Sequence, residues 1–249
     1  MSTTTKTVNA NQHSRAESAS HTSRADIFAN IRRGLKLDPA DTQRQQRVTN
    51  RLSAKANNLI PARSQLPVTE QVELFKTMAL EAVAELIELD SIEQVPQACA
   101  DWLAEHQFNE LNSASNPELS ALDWSPLVQQ QITRTERVAQ AGDIASLTTS
   151  FAGIAETGTL MLHSSAQSPT TLNFLPDNHL VVLRRSAIVG CYEEAWKNLR
   201  QQCFGDNTAN QLPRTVNMIT GPSRSADIEQ TLQMGAHGPK TLVILLIND

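Results

Sequence analysis

VTEQVELFKTMALEAVAELIELDSIEQVPQACADWLA, residues Val68–Ala104, is the stretch from which the fold class is read. Val68–Ala84 reads as a helix, Glu85–Leu89 as a short strand and Ile92–Ala104 as a second helix. A helix, strand and helix in such close succession form one unit of a layered sheet. Downstream the alternation continues. Strand-like segments are Ile132–Val138, Ile144–Phe151, Thr159–His163, Leu180–Leu183, Val216–Thr220 and Thr241–Ile247, and helix-like segments are Tyr192–Gln202 and Ser225–Met234. This pattern predicts an α/β fold with a mostly parallel sheet. Asn112–Pro126 reads as a loop broken at Asn116-Pro117, with Trp124 as a packing anchor.

Upstream, the chain is organised differently. Residues 1–22 are rich in Ser, Thr, Asn and His without hydrophobic periodicity, the pattern of a disordered leader. Residues 23–66 read as a helical arm and linker. Ile27, Phe28, Ile31 and Leu35, with Arg32, Arg33 and Lys36 between them, predict an amphipathic helix. The segment after Asp38 is polar, carries Pro39, Pro61 and Pro67, and has room for a helix through Arg44–Leu59. Residues 67–249 then form the α/β domain.

The chain's 249 residues, 40% hydrophobic and 19% charged with mean hydropathy −0.32, suit one main soluble core. Its longest apolar run, Leu242–Ile247, is strand length, far below the ~18 residues of a membrane span. The N-terminus carries no apolar h-region, so the cytoplasm is the expected compartment.

The net charge of −5 is unevenly spread. Met1–Gln65 holds 11 Lys/Arg against 4 Asp/Glu, Leu66–Gln140 holds 3 against 13, and the remainder holds 7 against 9. The dispersed positives have almost no aromatics among them and precede an acidic block, which favours internal or partner-docking electrostatics over nucleic acid. Cys99, Cys191 and Cys203 are too few and too scattered for a disulfide framework, and none sits in a CxxC pair. The chain is therefore expected to bind no metal and no iron–sulfur cluster by itself. The absence of GxGxxG argues against an intrinsic dinucleotide site.

Three patches depart from core-building sequence. In Ala152–Leu160, Glu156 sits in a turn bounded by Gly and Thr, just before an apolar strand. Two readings stand: a turn glutamate that caps a neighbouring segment, or a carboxylate serving as base, hydroxyl anchor or acyl acceptor. In Ile219–Glu229, an apolar strand runs into Gly221-Pro222, and Ser223 is placed to cap a helix whose first amides would bind a carboxylate or phosphate. Asp227 and Glu229 then fall in its first turns, where the helix dipole favours acids for structural reasons alone. In Gly235-Ala236-His237-Gly238-Pro239, a histidine is flanked by glycines on a short connection. Asp227, Glu229 and His237 are suitable ligand types, but their spacing matches no compact metal motif.

Taken in order, Ala155-Glu156-Thr157-Gly158-Thr159, Leu175-Pro176-Asp177-Asn178-His179, Gly221-Pro222-Ser223 with Ala226-Asp227-Ile228-Glu229, and Gly235-Ala236-His237-Gly238-Pro239 resemble the signatures of the LUD domain, lactate-utilisation protein C family. The match runs over about Ile144–Ile247; Ser225 stands where the family pattern leads one to expect threonine. The resemblance implies a three-layer α/β fold similar to the sugar-isomerase, CoA-transferase and formyltetrahydrofolate cyclo-ligase group. It also implies work alongside iron–sulfur partner subunits in oxidising L-lactate, a small 2-hydroxy acid, to pyruvate. Candidate catalytic residues are then Glu156, Asp227 and His237. Candidate substrate-binding residues are Thr157, Gly158, Thr159, Gly221, Ser223 and Gly238. Competing expectations are an acyl/CoA transferase or ATP-dependent ligase-like enzyme of the same fold, and a noncatalytic assembly subunit.

Overall fold

In the computed structural model, residues 24–36, 38, 41–53, 59–204, 212–225 and 233–249 are described. The leader at residues 1–22 and Asp227 lie outside them. The chain divides into two compact units, Met1–Ala56 and Asn57–Asp249. Among its described residues the first holds α1 (residues 24–34) and α2 (Thr42–Ser53). Ile27, Phe28 and Ile31 lie on α1 and Leu35 just beyond it, and all four are exposed.

In the second unit a 3-10 turn, Ala62–Ser64, leads into α3 (Val68–Glu81), β1 (Glu85–Leu89) and α4 (Val95–Glu105). Next come β2 (Glu110–Ser113), α5 (Pro117–Ser120), α6 (Ser125–Gln129), β3 (Thr133–Thr135) and β4 (Ala145–Thr149). Then follow β5 (Ala152–Ile154), β6 (Thr159–His163), β7 (Asn178–Arg184), β8 (Ile188–Val189) and α7 (Tyr192–Phe204). The last strands are β9 (Val216–Ile219), β10 (Arg224–Ser225), β11 (Gln233–Met234) and β12 (Thr241–Ile247).

Six strands form one sheet in the order β1-β12-β7-β4-β2-β3, every neighbouring pair parallel. A smaller sheet, β8-β5-β6-β9, mixes antiparallel pairs with the parallel β5–β8 pair. Because side chains alternate along a strand, β12 sends Val243, Leu245 and Ile247 to one side and Leu242, Ile244 and Leu246 to the other. Both sides are apolar because both are covered. The first faces α4, through Val95, Cys99 and Leu103. The second faces α3, through Val72, Phe75 and Ala79, together with Leu160 and Leu162 of β6. The small sheet is covered in turn by Ala195 and Leu199 of α7, which pack on Ile154 and Met161.

The expected parallel α/β sheet is thus present. Two local readings are corrected. Part of the loop read over Asn112–Pro126 is β2, whose buried Asn112 and Ser113 mask a strand behind polar residues. Asn112 Nδ2 donates to Asp143 at 3.2 Å, and its Oδ1 accepts from the Arg137 amide at 3.2 Å. The helix read over Ser225–Met234 is contradicted at both described ends, where Arg224 pairs with Met234 and Ser225 with Gln233 as antiparallel strands. Ser223 therefore caps no helix at that point: its carbonyl accepts from the Gly235 amide and its own amide donates to Pro239.

Asp143 ties β2 to the loop before β4. Arg137 donates to both of its carboxylate oxygens, at 2.9 and 2.7 Å, and the Gln140 amide donates at 2.9 Å. Hydrogen bonding from Arg137, aided by Gln140 and Asn112, holds the Asp143 carboxyl below its ordinary range against the opposing effect of burial. A depressed folded-state pKa stabilises the fold above the unfolded value of about 3.9 and is lost as pH falls through the folded one. Asp143→Ala should therefore cost about 1–3 kcal/mol at pH 7. In urea denaturation the gap from wild type should narrow below about pH 4; a gap independent of pH would remove the charge from this account.

Candidate functional site

Two loops meet over a cavity of about 280 Å³. Thr220, Gly221, Pro222 and Ser223 follow β9, and His237, Gly238 and Pro239 precede β12. The loops are stitched together at Ser223. Its amide donates to Pro239 at 2.8 Å, its carbonyl accepts from Gly235 at 2.8 Å, and its hydroxyl accepts from the His237 amide at 3.3 Å. The second loop is tied to the start of β7 as well, because the Lys240 amide donates to the Asp177 carbonyl at 2.6 Å and the Lys240 ammonium contacts the Asp177 carboxylate at 2.9 Å. His237 and Arg224 are exposed at the cavity, and among the described residues no carboxylate lines it.

Deeper in, the wall is formed by His179 and Leu242, register partners at the start of β7 and β12, and by Asn173. His179 is fully buried, and its Nε2 hydrogen-bonds Thr148 Oγ1 at 2.8 Å. Burial alone pushes its imidazolium pKa down to about 3, so this ring stays neutral near physiological pH. Sequence reasoning placed His179 within a family signature but not among the site residues. The available signal was its position two residues before Val181, on the same face of a strand buried on both sides.

Of the candidate residues, Gly221, Ser223, His237 and Gly238 line this cavity. Glu156 is not among the lining residues. It is buried at the N-terminus of α7, where its amide donates to the Gly190 carbonyl at 3.1 Å and its carboxylate accepts the Tyr192 amide at 3.3 Å. That is the geometry of a helix cap. Thr157 and Thr159 join Tyr192 and Thr220 in a hydroxyl cluster. Thr159 Oγ1 lies 2.7 Å from Thr157, 3.0 Å from Tyr192 and 2.6 Å from Thr220. Thr220 lines the cavity, so the cluster fixes part of its wall from behind.

Three candidate glycines differ in kind. Gly158 has φ +62°, and a Cβ there would lie 2.3 Å from the Ala79 amide nitrogen. Gly221 has φ +67°, and a Cβ there would lie 2.0 Å from the Ala82 carbonyl oxygen. Both are required by close approach to the end of α3. At Gly238 a Cβ would meet Ser223 Cβ at 3.5 Å and Phe174 at 3.7 Å, ordinary contact distances.

Among the described residues no three His, Cys, Asp or Glu side chains come together as a metal site. Cys99 and Cys191 are buried, Cys203 is half-buried, and burial raises the thiol pKa of the first two. These residues do not fit an iron–sulfur cluster, whose iron requires clustered thiolates. No helix among the described residues is long and apolar enough to cross a membrane.

Residues 50–247 match the LUD domain. The chain belongs to the LUD domain family. This LUD-domain chain is 33% identical over 126 residues to lactate utilization protein C of Bacillus velezensis, a match covering 51% of this chain and 50% of that protein. It is 32% identical over 133 residues to lactate utilization protein C of Bacillus subtilis, covering 51% and 54%. An uncharacterized protein of Neisseria meningitidis serogroup B is 42% identical over 95 residues, covering 38% of each chain. The LUD-domain chain spans about half the length or less of these curated relatives. A crystal structure of a DUF162 family protein from Deinococcus radiodurans superposes with TM-score 0.51 at 21% identity, covering 73% of this chain and 99% of that one, which shows the shared fold.

Two expectations follow. Gly158→Ala should lower the thermal midpoint by at least ~4 °C, the effect of losing 1–2 kcal/mol from a domain of this size, whereas Gly238→Ala should leave it within ~2 °C. Equal midpoints for the two variants would remove the packing argument. For His179, the unfolded state takes up a proton below about pH 6.5 that the folded state refuses until about pH 3. The neutral ring therefore stabilises the fold fully above pH 6.5, and stability should fall by about 1.5 kcal/mol between pH 6.5 and 5. His179→Gln should lack that component in parallel denaturant titrations; an unchanged pH slope would mean the ring is accessible to protons.

Proposed function

We propose that this chain is the substrate-holding component of an L-lactate-oxidising assembly whose iron–sulfur partner subunits accept the electrons. The observation that carries this reading is the meeting of two sequence-distant motifs, Gly221-Pro222-Ser223 and His237-Gly238-Pro239, on one cavity. At about 280 Å³ it lies just under the ~300–1,000 Å³ of pockets for drug-sized ligands, a size suited to a small acid. Arg224 and His237 give it a cation and an imidazole at exposed positions.

Oxidising a 2-hydroxy acid to a 2-oxo acid removes a hydroxyl proton and a hydride equivalent, so it requires a base and an electron acceptor. In this reading Arg224 attracts the carboxylate and His237 takes the hydroxyl proton. Ser223, whose hydroxyl binds the His237 amide, holds that loop in place. Glu156 supports the α7 terminus behind the site instead of acting as a base or acyl acceptor, because its carboxylate is held by Tyr192. A transferase reading would need Glu156 to face the ligand, and the lining of the cavity gives it no support.

Reconstitution with the iron–sulfur partner subunits tests the proposal. His237→Ala should reduce lactate-dependent turnover by roughly 10² or more, the usual contribution of a positioned acid or base, without lowering the thermal midpoint. Gly238→Val, which pushes methyl groups toward the cavity, should weaken lactate binding with the fold intact. Near-wild-type turnover and affinity in both folded variants would overturn the assignment of this cavity.

A further inference from the structure

Two residues of the cavity wall, His179 and Asn173, each carry a buried polar atom with no hydrogen-bond partner among the described residues, Nδ1 and Oδ1 respectively. His179 is 0% and Asn173 3% exposed. Each side chain is anchored at its other end: His179 Nε2 to Thr148 Oγ1 at 2.8 Å, and Asn173 Nδ2 to Asn217 Oδ1 at 3.3 Å. Neither side chain can turn to satisfy its open atom without breaking the bond it already makes. A buried polar group left unpaired costs about 1–3 kcal/mol, so two beside one cavity form a place that gains from a hydrogen-bonding guest. The exposed side of the cavity has the opposite character, with Arg224 and His237 and, among the described residues, no carboxylate. The cavity is therefore polarised, favouring negative charge outside and neutral polar chemistry within.

We infer that His179 Nδ1 and Asn173 Oδ1 form a subsite that selects the neutral hydroxyl of a 2-hydroxy acid, setting the alcohol apart from the corresponding 2-oxo and unsubstituted acids. The inference rests on the proposed reading of this cavity as the acid-binding site and specifies what its buried end recognises. The tautomer that makes this subsite has the Thr148 hydroxyl donating to Nε2 and the ring proton on Nδ1. Asn173 Oδ1 accepts. A ligand hydroxyl satisfies both, its oxygen accepting from Nδ1–H and its proton going to Oδ1. A ketone oxygen can only accept, so it leaves Asn173 Oδ1 unpaired, and a methylene satisfies neither atom. The ring's low proton affinity suits it to this task and not to that of a base; oxidation then requires the bound hydroxyl to turn its hydrogen from Asn173 Oδ1 to His237.

Calorimetric titration of the full chain with L-lactate, pyruvate and propionate tests the inference, read beside the ring nitrogen shifts of ¹⁵N-histidine-labelled protein. L-lactate should bind at least ~10-fold more tightly than propionate, with pyruvate between them, as expected when one or two buried partners are left unpaired. The His179 Nδ1 resonance should move with L-lactate and stay in place with propionate. Asn173→Ala should remove the advantage of L-lactate over pyruvate while leaving propionate affinity unchanged, and Arg224→Ala should weaken all three acids alike. If the three acids bind wild type equally and the His179 resonance does not move, the hydroxyl subsite is overturned while the cavity remains an acid site. If none binds, the proposed acid site itself fails, and the subsite falls with it. Because the resonance is read in the wild-type chain, misfolding of a variant cannot obscure the result.

Discussion

Strand β12 is hydrogen-bonded between β1 and β7, and from Leu242 to Ile247 no residue is more than 1% exposed. Six aliphatic side chains in succession can be buried this way only with cover on both faces, so β12 makes both core layers depend on the same seven residues. Its partner β1 lies far earlier in the chain, which makes the pairing non-local and couples formation of the core to closure of the whole domain. The site inherits that constraint. The loop carrying His237 and Gly238 runs directly into β12, and the strand's register beside β7 brings Leu242 opposite His179. Bonds from the Lys240 amide and ammonium to Asp177 fasten the same loop to the entrance of β7.

The small sheet supplies the other wall of the cavity, and glycine makes its seating possible. Gly158, in the turn between β5 and β6, and Gly221, after β9, each bring backbone against the last turn of α3 or the residue after it, at distances that leave no room for a Cβ. A residue type often read as a sign of ligand approach is here set first by packing, since α3 belongs to the core beneath the large sheet. Glu156 follows the same logic, its carboxylate fixing the α7 terminus that covers the small sheet's outer face. The conspicuous residues of the first motif thus hold the frame, while those of the later motifs reach the cavity.

How far this was legible in the sequence follows from what each segment leans on. The edges of β6 and β12 coincide with their predicted limits because uninterrupted apolar residues between polar or turn residues mark a buried strand directly, and those of β1 coincide as well, on the part-exposed stretch Glu85–Leu89. β2 escaped because polar Asn112 and Ser113 are buried beside Leu111, and the burial of Asn112 depends on Asp143 and Arg137, partners 25 or more residues away. The helical reading of Ser225–Met234 failed for a related reason. Local composition favours a helix, but Arg224 and Ser225 are paired with Met234 and Gln233, and Ser223 with Gly235 and Pro239, so tertiary pairing sets the conformation of both described ends. For the candidate site, Ser223, His237, Gly221 and Gly238 could be named from turn chemistry and His179 carried only the signal of its place in β7, whereas Asn173 could be recognised only once burial showed an atom without a partner.

The location of the cavity gives the arrangement its chemical sense. Open α/β sheets commonly bind ligands beyond the carboxyl ends of their parallel strands, yet His179 and Leu242 stand at the amino ends of β7 and β12. The carboxyl end that contributes is that of β9 in the small sheet, whose exit loop carries Gly221 and Ser223. A cavity at the junction of two sheets draws His179 from a rigid, fully covered strand, Asn173 from the 3-10 turn Thr170–Asn173, and the exposed His237 from a loop braced by backbone hydrogen bonds. Rigid elements hold a recognition atom more precisely than a loop can, while a loop leaves an imidazole room to approach a reacting group. The division between a fixed neutral interior at His179 and an accessible exterior at His237 is therefore built into how the two sheets meet.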